Sequence, residues 1–167
     1  MPTPVPTPSR QSSRKRLSVF RRIETVTPLL AVPVVIYVIM TWTAGGNHQD
    51  GVPAISGMLG APLLSIPMIS GVKWTLSVGS ALLFFALVLL SFEIVKATSS
   101  KSSAMVNHAA SMAVLLFCLV MFLLIANFAT ATFFLLSMMA LMDVLVGVIV
   151  SIVSARRDFG VGDGFAG

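Results

Sequence analysis

The chain is expected to be an all-α integral membrane protein: four transmembrane helices in an antiparallel bundle, with both termini cytoplasmic. Three observations predict this. The 167 residues are 56% hydrophobic and only 10% charged, with a mean hydropathy of +0.96. A soluble domain carries about 25% charged residues, so too little charge is present to clothe a water-facing surface, and the bilayer is the solvent that fits. Next, apolar runs occur at about 27–44, 74–95, 104–127 and 131–155, each close to the roughly 20 residues that cross a hydrocarbon core. Finally, the basic residues are segregated. With the N-terminus inside, Arg10, Arg14, Lys15, Arg16, Arg21, Arg22, Lys96, Lys101, Arg156 and Arg157 all fall on the inner side, ten of the eleven Lys/Arg in the chain. That is a positive-inside pattern. The exception, Lys73, stands at the outer start of the second run, where its stem can snorkel to headgroups.

Residues 1–26 read as a disordered basic cytoplasmic tail, with Pro2, Pro4, Pro6 and Pro8 alternating with small residues. Six cations packed against a span suit anionic lipid, each contributing about 1 kcal/mol near the surface; the run is too short and too close to the membrane to suit nucleic acid. The first span is short. Pro28 fits a helix's first turn, and Pro33 is placed to bend it. A basic stretch before a short apolar core also has the form of a signal peptide, but Trp42 occupies a position where cleavage needs a small residue.

The link at 45–73 is predicted as an outer loop. It opens with the polar turn cluster Gly45-Gly46-Asn47-His48-Gln49-Asp50-Gly51. Residues 55–69 are apolar but interrupted by Gly57, Gly60, Pro62 and Pro67, so they either lie along the outer interface or enter the bilayer against the bundle. Trp42 and Trp74 then both fall at the outer interface, where indoles concentrate. The link 96–103 is short and polar, and the one after the third span is shorter still, which makes the third and fourth helices antiparallel neighbours. The transmembrane domain is thus expected over 27–155, with a flexible cytoplasmic tail at 156–167.

Asp143 is the most informative residue. It lies twelve residues from either end of the fourth run, or about 18 Å along a helix. A carboxyl at that depth costs at least ~2.5 kcal/mol on insertion scales, so it should face protein. Ala140, Asp143, Gly147, Ser151 and Ser154 recur at three- and four-residue spacing, a stripe that permits close helix packing. Antiparallel alignment sets Tyr37 at similar depth, Ser111 about a turn further in, and His108 a turn beyond. A hydrogen bond from Asp143 to Tyr37 or Ser111 follows. Ala109 and Ala113 supply the third helix with its own small face. Glu93 and Lys96, three apart, suit a helical ion pair at the inner interface.

Other chemistry is poorly supplied. One cysteine, Cys118, cannot make an intrachain disulfide or a redox pair, and reads as a buried small hydrophobe. The two histidines, His48 and His108, are expected at different depths, so they do not pair on a haem, and no metal-ligand spacing appears. Asp158-Phe159-Gly160 and Gly160-Val161-Gly162-Asp163-Gly164 lack the surroundings that phosphate-binding motifs need. No nucleophile–base pair or paired carboxylate emerges, so no enzymatic activity and no cofactor are expected.

Five segments carry a resemblance: Ser70-Gly71-Val72-Lys73-Trp74-Thr75-Leu76, Glu93-Ile94-Val95-Lys96-Ala97-Thr98, Val106-Asn107-His108-Ala109, Thr132-Phe133-Phe134-Leu135-Leu136 and Ala155-Arg156-Arg157-Asp158-Phe159. From about Gly60 onward the chain resembles small four-helix bacterial inner-membrane proteins. The resemblance implies a bacterial inner (cytoplasmic) membrane location and carries no activity, substrate or binding residues. The expected function is that of a non-enzymatic scaffold or accessory subunit, packing through small-residue faces as a homo-oligomer or within a larger complex. The alternative is a small proton-coupled transporter or channel centred on Asp143.

Overall fold

The computed structural model describes residues 28–45, 51–99 and 104–160, with side chains described through 97 in the second stretch and over 107–153 in the third. The basic tail 1–26, His48, Asp50, Lys101 and residues 161–167 lie outside the described residues, as do the side chains of Ser154, Arg156 and Arg157.

The chain is mostly helical. In order come α1 (Ala31–Ala44), the single turn α2 (Ser56–Gly60), β1 (Pro62–Pro67), β2 (Lys73–Ser77), α3 (Val78–Ser99), α4 (Ala104–Leu124), a 3-10 turn (Ala126–Phe128) and α5 (Ala131–Gly160). Three of these, α3, α4 and α5, are long and apolar enough to cross a membrane. That is compatible with a multi-pass membrane protein. α1 is apolar but only 14 residues long, or about 21 Å at 1.5 Å per residue, against the ~30 Å of a hydrocarbon core.

The two strands correct the all-α expectation and shift the second helix. Residues 62–67 and 73–77 pair antiparallel, so Lys73 and Trp74 belong to a strand and α3 begins four residues later than the hydropathy suggested. The reason is local. Lys73-Trp74-Thr75-Leu76-Ser77 alternates in polarity, and Ser77 then caps α3, its hydroxyl accepting from the Ser80 N–H at 3.2 Å. Gly71, at φ +83°, closes the connection between the strands. Residues 55–59 also fold more definitely than an interrupted apolar run implies, because Ile55 and Leu59 are buried and pin α2 to the bundle.

At the other end of the chain, α4 stops at Leu124 and the 3-10 turn leads into α5. Thr130 caps α5, accepting from the Phe133 N–H at 3.2 Å. α5 runs past the expected limit at 155, through Arg156 and Arg157 to Gly160.

α5 is the central helix, packed against both α3 and α4, while α1 touches all three. Gly79 permits a close approach: a Cβ there would lie 2.8 Å from Thr132 Oγ1 and 3.3 Å from the Leu59 carbonyl. The core is built from helical stripes, Leu82–Ala86–Leu90 on α3 and Phe133–Leu136–Ala140 on α5, joined by Leu30, Val34 and Tyr37 of α1 and Cys118 of α4. Each stripe continues into a polar residue at the same end of the bundle: Glu93 on α3, Asp143 on α5 and, one helical repeat from Cys118, Ser111 on α4.

Candidate functional site

The polar continuation of the three stripes forms a cluster, here termed the carboxylate end. Glu93 is its hub, with 0% exposure. One carboxylate oxygen accepts from the Leu29 backbone N–H at 2.9 Å, just ahead of α1, where helix geometry leaves amides without partners. The other accepts from the Asn107 amide at 2.6 Å and lies 3.5 Å from the Lys96 ammonium. Lys96 also donates to the Asn107 side-chain oxygen at 3.5 Å. One acid therefore ties α1, α3 and α4 together.

A turn further along α4, Ser111 hydrogen-bonds Asp143, and Glu93, Lys96 and His108 lie in its vicinity. Asp143 is 6% exposed. His108 packs against Gly147, one turn beyond Asp143; a Cβ at 147 would lie 2.5 Å from His108 Nδ1. That nitrogen is buried and has no hydrogen-bond partner among the described residues.

Of the residues the sequence assembled around Asp143, the structure therefore joins Ser111 and sets His108 nearby. Tyr37 it places elsewhere, a correction to the depth alignment. Its hydroxyl donates to the Asn127 carbonyl at 3.0 Å and pairs with Thr130 Oγ1 at 2.6 Å; Thr130 can donate that second bond. Its ring packs on Phe133 and Phe128 at 4.8 and 5.5 Å between centroids. Thr130 precedes Asp143 by thirteen residues, about 20 Å of helix. The displacement arises because α1 has 14 residues against 30 in α5, so Tyr37, at the middle of α1, meets the capped start of α5 rather than its middle.

This second cluster, at the hairpin end, is organised by Asn127. Its amide donates to the Gly45 carbonyl at 2.9 Å and its oxygen accepts from the Ala54 N–H at 3.0 Å. Asn127 also lines an open groove of about 360 Å³ with Thr41, Trp42 and Phe128.

The predicted packing and anchoring residues divide. Ala140 is buried and Gly147 receives His108, so much of the α5 stripe is occupied within the chain. Ser151 is exposed and bonds its own helix at the Gly147 carbonyl, 2.8 Å away. Ala109 and Ala113 face outward from α4. Trp42, Lys73 and Trp74 are exposed, Trp42 at 81%. The expected Glu93–Lys96 pair is present, but a surface ion pair understates Glu93.

Sequence reasoning missed Asn107, Asn127 and Thr130. Asn107 was detectable: it precedes Ser111 by one turn, as Glu93 follows Leu90 on its stripe. Asn127 was not, because its partners Gly45 and Ala54 are remote in sequence. Among the described residues no three His, Cys, Asp or Glu side chains are grouped to hold a metal. Comparison with protein-family models, curated proteins and solved structures finds no match to the chain.

Proposed function

We propose that the chain is a four-pass protein of the bacterial inner membrane, both ends cytoplasmic, acting as a non-enzymatic scaffold or accessory subunit. The observation that carries the reading is the saturation of Glu93: both carboxylate oxygens are engaged, by groups from three parts of the chain. Its polar interior is spent on holding helices together, the use expected of interhelical hydrogen bonds in lipid. α1 supports the fourth crossing, since Leu29 is bonded at the carboxylate end and Gly45 at the hairpin end. The basic residues support the orientation, and the tail 1–26 is assigned to anionic lipid. The outward face of α4 around Ala109 and Ala113 is assigned to a partner helix, a second copy or another subunit. A photocrosslinker at Ala113, activated in native membranes, tests this. A defined adduct is expected; a chain that stays monomeric under several growth conditions overturns it.

A second reading, a proton- or ion-handling site on Asp143, is favoured by one observation: the buried, unpartnered Nδ1 of His108 beside it. Infrared carboxyl bands in proteoliposomes separate the two, with Asp143→Asn as control. A band that responds to bulk pH favours transport, and a flux lost in Asp143→Asn would establish it. A band unchanged across the neutral range favours the scaffold.

A further inference from the structure

The β1–β2 hairpin exposes a run of large apolar side chains, and neither carboxylate chemistry nor helix packing uses it. Cross-strand partners share a face of a hairpin. The register pairs Leu64 with Leu76 and Ile66 with Trp74 on one face, and Ser65 with Thr75 and Pro67 with Lys73 on the other. The ladder extends one rung further, because Met68 N–H donates to the Val72 carbonyl at 2.9 Å, which adds Met68 and Val72 to the first face. The Gly71 N–H bonds back to the Met68 carbonyl at 3.0 Å, and Gly71 itself is left-handed. This three-residue loop with a glycine bulge fixes the register and hence both faces.

One face is therefore apolar at all three rungs, and the other carries two hydroxyls, a proline and an ammonium. Leu64, Ile66, Met68, Val72 and Trp74 are nevertheless exposed, and Ile69 projects entirely from the tip. No element of the described bundle covers them. The Val78 N–H bonds the Ala61 carbonyl at 3.0 Å, so the hairpin's base is fastened where α3 begins.

We propose that this hairpin lies on the bilayer with its apolar face sunk among lipid headgroups and upper acyl chains, a β counterpart of an interfacial amphipathic helix. The occupant is lipid because the apolar face continues directly into α3, a helix suited to hydrocarbon. The hairpin also bears the side chains of an interface: an indole on the buried side and a lysine on the other. Its task is to hold the start of α3 at a set depth. The inference rests on α3 crossing the membrane, and the test separates that premise from the hairpin's position.

The full-length chain is reconstituted, dilute in lipid, into phosphatidylcholine/phosphatidylglycerol vesicles and treated with a membrane-impermeant maleimide. The native chain is the blank, since Cys118 is buried. Three variants are compared: Ser65→Cys, Ile66→Cys, and Leu87→Cys on the exposed face of α3. Efficient labelling of Ser65→Cys is expected, with loss of labelling in the other two. Equal labelling of the 65 and 66 positions, with 87 protected, overturns the hairpin's placement and leaves α3 in the membrane. Labelling at 87 removes the premise itself. In a Trp42→Phe background, Trp74 fluorescence should be quenched by lipids brominated high in the acyl chain. Quenching by aqueous iodide instead places the face in water and overturns the proposal. Quenching by neither gives the face to protein, a second copy or another chain, and overturns it equally.

Discussion

The two ends of the helical bundle are stabilised by different chemistry. At the carboxylate end, Glu93 and Asp143 are charged or chargeable groups on helix stripes, matched by Lys96, Asn107, Ser111 and a backbone amide. At the hairpin end, Tyr37, Asn127 and Thr130 are neutral, and their main partners are backbone groups of turns and caps. A carboxylate can join several helices at once but leaves a costly orphan when its partners are removed. A neutral amide or hydroxyl fixes a single loop at lower risk. The charged end therefore sets which helices come together, and the neutral end sets how the loops close over them.

That contrast orders the expected effects of mutation. The largest is Glu93→Ala, which strips Leu29, Asn107 and Lys96 of an acceptor and opens a void. A loss of about 3 kcal/mol is expected, read as a lowered midpoint in detergent-denaturant unfolding; Glu93→Gln should recover much of it. An Ala variant as mild as a hairpin-end substitution would erase the distinction between the ends. Gly147→Ala should come next, at roughly 1–3 kcal/mol, because the new Cβ forces His108 from its place. The same change made with His108→Ala should cost clearly less, a coupling that a double-mutant cycle measures.

Tyr37→Phe keeps the ring contacts with Phe128 and Phe133 and removes only the hydroxyl. A loss of about 1 kcal/mol is expected, with increased protease sensitivity in the 45–54 link as the local readout. The smallest effect belongs to Ser151→Ala. Its exposed hydroxyl bonds only its own helix, so stability should move by less than about 0.5 kcal/mol. A larger change there would mean that Ser151 meets a partner in the membrane.

Much of the carboxylate end was legible in the sequence. Asp143 announces itself by its position in an apolar run, and Ser111 follows from antiparallel alignment of two long helices joined by a short link. Glu93 was visible as an ion-pair member but not as the hub, because three- and four-residue spacing shows that it shares a face with Leu90 and cannot show that the face is buried. The hairpin end was nearly illegible. Tyr37 was assigned to the wrong cluster because α1 has 14 residues and α5 has 30, so the middle of one does not lie beside the middle of the other. Asn127 bonds groups 82 and 73 residues away in sequence.

By itself the sequence determined a chain rich in long apolar helices, the segregation of its cations and the presence of a costly acid in one of those helices. These are statements about composition and period, and they need no knowledge of what lies next to what. Only the tertiary structure decided that Lys73 and Trp74 stand in a strand, that Glu93 closes three helices, and that Tyr37 and Asp143 belong to opposite ends. The physical reason is that hydropathy averages over a window, whereas a strand register, a cap or a hydrogen bond depends on a single residue and on a partner brought from far along the chain.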